Sequence, residues 1–137
     1  MWRKITSFLL TVLTITALNG VWTYEDNNTI ELGIYTVNNK STVLLKTPGV
    51  TTVMNGKISK EGDLYTLMFA SGYSDAGAGC QERIEIALSG EIIGDFEGNE
   101  YLDTICVVMF VKRCPGKKPS IETKELSGKW KKKVERK

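Results

Sequence analysis

Histidine is missing from all 137 residues. The commonest general base and the commonest metal ligand are therefore both unavailable. That removes Ser–His and Cys–His nucleophile pairs from consideration. No window of about 11 residues or more sustains an apolar period of 3.6, so no helix is expected in the body of the chain. No phosphate-cradling loop occurs either. Gly77 and Gly79 stand in Ser-Asp-Ala-Gly-Ala-Gly, without the lysine and following helix that such a loop needs. Pairs of carboxylates exist, as in any chain with 16 acids, and alone carry no glycosidase signature. No residue set points to catalysis or a cofactor, and the chain reads as non-catalytic.

What is present begins with a leader. Met1-Trp2-Arg3-Lys4 carries two positive charges, and Ile5 through Leu18 is apolar, broken only by Thr and Ser. Small residues, Ala17 and Gly20, stand at the exit. This order is that of a secretory signal peptide, read by the export machinery and then removed. Residues 1–20 are assigned to it, with the cut at Ala17 or Gly20. The apolar run, ~14 residues, is shorter than the ~20 that span a bilayer, so membrane contact is expected only during export. The mature chain is expected to be secreted or periplasmic. It is read as one β domain over 21–116 and a basic segment over 117–137, with a last strand around Trp130.

Beyond Gly20 the dominant signal is short β runs between turn residues. The turns are Asp26-Asn27-Asn28, Asn38-Asn39, Pro48-Gly49, Asn55-Gly56, Gly62-Asp63 and Glu97-Gly98-Asn99. Asn-Gly between apolar runs is the strongest short hairpin signal, because both central positions tolerate positive φ. Strands at this spacing imply an all-β fold, a small antiparallel meander barrel or a sandwich, of roughly 8–10 short strands. An internal echo runs through Leu18-Asn19-Gly20, Met54-Asn55-Gly56, Leu88-Ser89-Gly90 and Leu126-Ser127-Gly128. The first and last are each followed, one residue on, by a tryptophan, Trp22 and Trp130. Repeated hairpin chemistry would explain such an echo.

Gly20-Val21-Trp22, then a turn and Thr29-Ile30-Glu31-Leu32-Gly33, resembles the first hairpin of avidin-like and lipocalin-like barrels. The resemblance covers the opening hairpin alone. It implies a closed meander barrel and transfers no ligand residue.

The chain has three cysteines, which in an oxidising compartment predicts one bridge and one leftover. Cys106 and Cys114 lie in one apparent strand, Tyr101 to Cys114, and a strand of that separation spans ~26 Å. A disulfide tolerates only ~7 Å between Cα atoms. Folding the segment about Glu97-Gly98-Asn99 brings Cys80 opposite Cys114 and leaves Cys106 opposite Ser89. The expected bridge is therefore Cys80–Cys114, with Cys106 a buried free thiol among Ile105, Val107, Val108 and Phe110. A bulge at Ser89-Gly90 would shift this register, and Cys80–Cys106 is the alternative.

Charge is segregated. Residues 117–137 hold nine basic and three acidic side chains, net +6, and residues 21–116 hold seven basic and thirteen acidic, net −6. The tail can fold back on the body or meet an acidic surface. Trp130 with Lys131, Lys132 and Lys133 is one candidate interaction set. The acidic turn with Asp95, Glu97 and Glu100 is the other; it lacks the ligand spacing of a calcium loop, and no metal is expected. Nucleic acid is disfavoured, since aromatics are not interleaved with a basic body. The leading expectation is an exported binding module that meets another protein, as inhibitors and immunity factors do. The alternative is a small-molecule carrier, with Trp22, Tyr24, Tyr35, Phe69, Phe110 and Trp130 around a cavity. An apolar-lined cavity above ~300 Å³ favours the carrier, and a filled core with an exposed apolar or acidic patch favours a protein partner.

Overall fold

A computed structural model describes residues 15–134, so most of the expected leader, residues 1–14, lies outside the described residues. A 3-10 turn, Thr16–Leu18, leads into ten strands: β1 (Gly20–Tyr24), β2 (Glu31–Val37), β3 (Lys40–Thr47), β4 (Val50–Glu61), β5 (Leu64–Ala70), β6 (Ser74–Asp75), β7 (Gln81–Gly94), β8 (Glu100–Arg113), β9 (Ser120–Glu125) and β10 (Gly128–Lys132). Eight of them close on themselves in the order β1-β2-β3-β4-β5-β7-β8-β10, with β10 pairing back to β1. Every pairing is antiparallel. The fold is a meander barrel, not a sandwich.

Period-two alternation builds it. Leu32 and Ile34 of β2, Val43 and Leu45 of β3, Leu67 and Phe69 of β5, Ile86 and Leu88 of β7 and Cys106 and Val108 of β8 all point inward and are buried. Turn chemistry works as the residues suggest at most corners. Asn38 and Asn39 take φ of +51° and +65°, the left-handed pair that a tight hairpin between β2 and β3 requires.

Asn55-Gly56 is the exception. No turn forms there, because β4 runs unbroken from Val50 to Glu61. Its first part pairs with β3, its second with β5, and the handover falls at Asn55 and Gly56. A Cβ on Gly56 would lie 1.9 Å from the Met68 carbonyl oxygen, so this glycine admits the β5 backbone where the sheet bends. Gly90 does the same in β7, where a Cβ would meet the Asp103 carbonyl oxygen at 2.7 Å. The two inner copies of the echo are therefore close-approach glycines within strands.

The two outer copies are a matched pair. Leu18-Asn19-Gly20-Val21-Trp22 enters β1, and Leu126-Ser127-Gly128-Lys129-Trp130 enters β10. In each, leucine and tryptophan are buried, and the indole Nε1 donates to the carbonyl of that leucine, at 2.9 Å from Trp22 and 3.2 Å from Trp130. The units sit on neighbouring strands and make the seam that closes the barrel. Tyr24 strengthens this seam. Its ring lies 4.7 Å from that of Trp130, and its hydroxyl donates to the Ser127 carbonyl at 2.8 Å. The basic segment 117–137 thus contributes β9 and β10 to the same fold as residues 21–116.

β7 and β8 are the longest strands, 14 residues each. They pair without interruption from Gln81↔Arg113 to Gly94↔Glu100. No bulge forms at Ser89-Gly90, and Cys106 faces Leu88 rather than Ser89. Cys80 and Cys114, one step beyond the last pair, are disulfide-bonded with Cα atoms 4.2 Å apart. Cys106 is free and buried. Of its expected neighbours, Ile105 points outward and is 70% exposed, because adjacent strand residues face opposite sides.

Candidate binding site at the barrel mouth

The two ends of the barrel differ. At one, the 3-10 turn, Asn38-Asn39, Gly62-Asp63 and the turn between β7 and β8 gather over a packed interior that contains Leu18, Trp22, Ile34, Met54, Leu67, Leu88, Leu102 and Trp130. At the other, β7, β8 and β9 run past the rest of the sheet. β1 stops at Tyr24 and turns away, so β9 has a partner only in β8. Opposite them stands the hairpin of β3 and β4, turning at Pro48-Gly49. Between these walls lies an open cavity of about 760 Å³.

Alternation decides what faces it. The inward rows that bury Leu45, Phe69, Ile86 and Val108 continue upward to Val50, Ile84 and Phe110, and then to Glu82, Lys112, Ser120 and Glu122. The floor is therefore apolar and the rim charged. Phe110 is 41% and Val50 57% exposed, an unusual exposure for apolar side chains on inward positions. At the rim, Lys112 sits opposite Glu82 on one side and Ser120 on the other.

The wall is braced. The Cys80–Cys114 bridge ties its end, and the Tyr73 ring lies under the guanidinium of Arg113 at 3.6 Å and that of Arg83 at 4.9 Å. Arg83 also pairs with Glu85, while its Nε is buried without a hydrogen-bond partner. Ser71 ties β5 to the wall, its Oγ accepting the Ile84 N–H at 2.9 Å.

The residues singled out from the sequence lie elsewhere. Trp130 is a core residue, 0% exposed, and not a surface aromatic; closure of the barrel through β10 buries it. Lys132 stands 5.5 Å from the Trp22 ring and 3.9 Å from Glu100, and Lys133 pairs with Glu31 at 2.6 Å. Lys131 faces Thr23 and Tyr101 in the register. The basic run is thus laid against acidic strands of its own barrel. Asp95 holds its turn, with Oδ1 accepting the N–H groups of Glu97 and Asn99 at 2.9 Å each and Oδ2 accepting from the Asn99 amide at 3.1 Å. Those bonds, the Asn99 side chain first, lower its carboxyl below the usual value. Glu97 remains solvated, and Phe96 beside it is fully exposed. The structure brings Glu100 and Lys132 together and leaves both charged groups at the closed end, remote from the cavity.

Burial pushes the Cys106 thiol up to about 12, so it is no thiolate nucleophile at neutral pH. Burial, then the charge of Asp26, also raises Tyr24. Among the described residues no three metal-ligating side chains converge. The cavity sets an apolar floor beneath a rim that carries Glu82, Lys112 and Glu122.

Comparison with protein-family models, with curated proteins and with solved structures finds no match.

Glu82, Ile84, Lys112 and Glu122 carry no mark in the sequence, whereas Phe110 is one of the aromatics that the carrier reading sets around a cavity, and it lines this one. Their signal lies in strand length. Arms longer than their neighbours must overhang, and overhanging inward positions line a mouth.

Proposed function

We propose that the protein is an exported, non-catalytic binding module whose mouth cavity holds a small molecule with an apolar body. The observation that carries this is an open cavity of about 760 Å³ above a filled half-barrel, within the ~300–1,000 Å³ common for ligand sites. Leu45, Val50, Ile84 and Phe110 would cover the apolar part. Glu82, Lys112 and Glu122 would meet a polar end at the rim. The disulfide supports an oxidising, extracytoplasmic setting.

Titration with the neutral fluorophore N-phenyl-1-naphthylamine tests the reading. Saturable binding at one site per chain is expected, reduced at least about tenfold by Ile84→Glu, since burying a carboxylate against an apolar ligand costs more than ~1.4 kcal/mol. Absence of saturable binding, or an unchanged affinity in the variant, sinks it.

A protein partner is the second reading, and Phe96 favours it. It is fully exposed, on a turn that Asp95 fixes in advance. A preorganised exposed aromatic is a typical anchor for a partner's pocket. Affinity capture from the native extracytoplasmic extract should then retain a specific protein that Phe96→Ala releases.

A further inference from the structure

We infer that the export leader is removed at the Ala17–Leu18 peptide bond and that Leu18 and Asn19 belong to the mature barrel, an inference that rests on the export reading. From the sequence, both Ala17 and Gly20 qualify as the small residue before a signal-peptide cut. The fold separates them.

A cut after Gly20 would take away the contacts of three residues. Leu18 is fully buried in the core cluster at the closed end, and its carbonyl accepts the Trp22 indole N–H at 2.9 Å. Asn19 binds the backbone of Thr36 in both directions, its Oδ1 accepting the N–H at 2.9 Å and its Nδ2 donating to the carbonyl at 3.3 Å. Gly20 pairs with Ile34 in the sheet. Losing them would leave a hole beside Trp22 and strip the end of β2 of its partners on the β1 side.

A cut after Ala17 leaves all of these in place. It removes the bond from the Asn19 N–H to the Thr16 carbonyl and the exposed one from Lys132 to the Ala17 carbonyl. Ala17 is exposed, and Leu18 is the first fully buried residue of the described chain, so the core begins at this bond. Hydrolysis there adds the hydroxyl of one water to the Ala17 carbonyl carbon and its proton to the Leu18 nitrogen, under an export peptidase.

The second unit of the same sequence pattern gives independent support. Leu126 stands to Trp130 as Leu18 stands to Trp22, buried and accepting the indole N–H. It lies in the chain interior, where no processing trims it. The leucine is a working part of the unit, and the first copy needs its own.

The test is to produce the full chain in a Gram-negative host, recover the periplasmic and external fractions, and read the N-terminus by intact mass and sequencing. A chain beginning Leu18-Asn19-Gly20 is expected. One beginning at Val21 overturns the proposal. One retaining Met1 overturns the export reading itself and the proposal with it. Chains made to start at Leu18 and at Val21 provide the second measurement. The Val21 chain should melt on the order of 10 °C lower, and Leu18→Ala in the longer chain should reproduce much of that shift. Equal melting temperatures would overturn the structural claim.

Discussion

Cys106 and Asp95 show how far a single side chain's surroundings set its behaviour. Cys106 is shut inside the barrel with its thiol raised to about 12. Native protein should therefore give no reaction with a disulfide reagent such as DTNB at neutral pH, and one thiol per chain once unfolded without reductant; rapid native reaction would contradict the burial. Asp95 works in the opposite sense. Its folded carboxyl lies below the ordinary 3.8, so the stabilisation it gives its turn is complete above that value and is lost as pH falls through the folded value. Protection of the Glu97 and Asn99 amides, measured against their intrinsic exchange rates, should hold above the ordinary carboxylate value and be lost as pH falls through the lower folded one. Asp95→Ala should lack that protection at every pH.

The elements depend on a few positions where a strand must bend or close. Gly56 is one. Because a Cβ would fall 1.9 Å from the Met68 carbonyl oxygen, Gly56→Val must push β4 and β5 apart, at a cost of about 3 kcal/mol in urea unfolding. Were Asn55-Gly56 a surface turn, the same change would spare the pairing of β4 with β5 and cost only the left-handed strain of about 1–2 kcal/mol. The seam between β1 and β10 is the other. Trp130→Ala empties a site that is 0% exposed and orphans the Leu126 carbonyl, so a loss of about 4 kcal/mol is expected. That change distinguishes a closing strand from a frayed tail, whose truncation would barely register.

At the level of the whole molecule, the Cys80–Cys114 bridge joins stability to the site. It closes a loop of 34 residues, which the chain-entropy model values at about 4 kcal/mol. Cys80→Ser with Cys114→Ser should lower the melting temperature and also weaken binding of the naphthylamine probe, because the bridge restrains the wall that bounds the cavity. A loss of stability with unchanged affinity would place the wall's rigidity in β7, β8 and Tyr73 instead.

What the sequence settled on its own is what local chemistry and counting can settle. Alternation with turn residues gave an all-β meander, and a symmetric fold about Glu97-Gly98-Asn99 paired Cys80 with Cys114 from the numbers alone. It left open barrel against sandwich, because closure depends on β10 meeting β1, a pairing between residues more than a hundred positions apart that no local pattern encodes. Asn55-Gly56 misled for the same reason: a glycine that relieves crowding between strands looks identical, in sequence, to one that turns the chain. Trp130 and its lysines looked like a surface patch until the seam buried the ring and set Lys132 against Glu100 and Lys133 against Glu31. The cavity exists only as a difference in length between strands that are neighbours in space. Tertiary structure alone decided it, because an inward position is filled or empty according to what stands across the barrel from it.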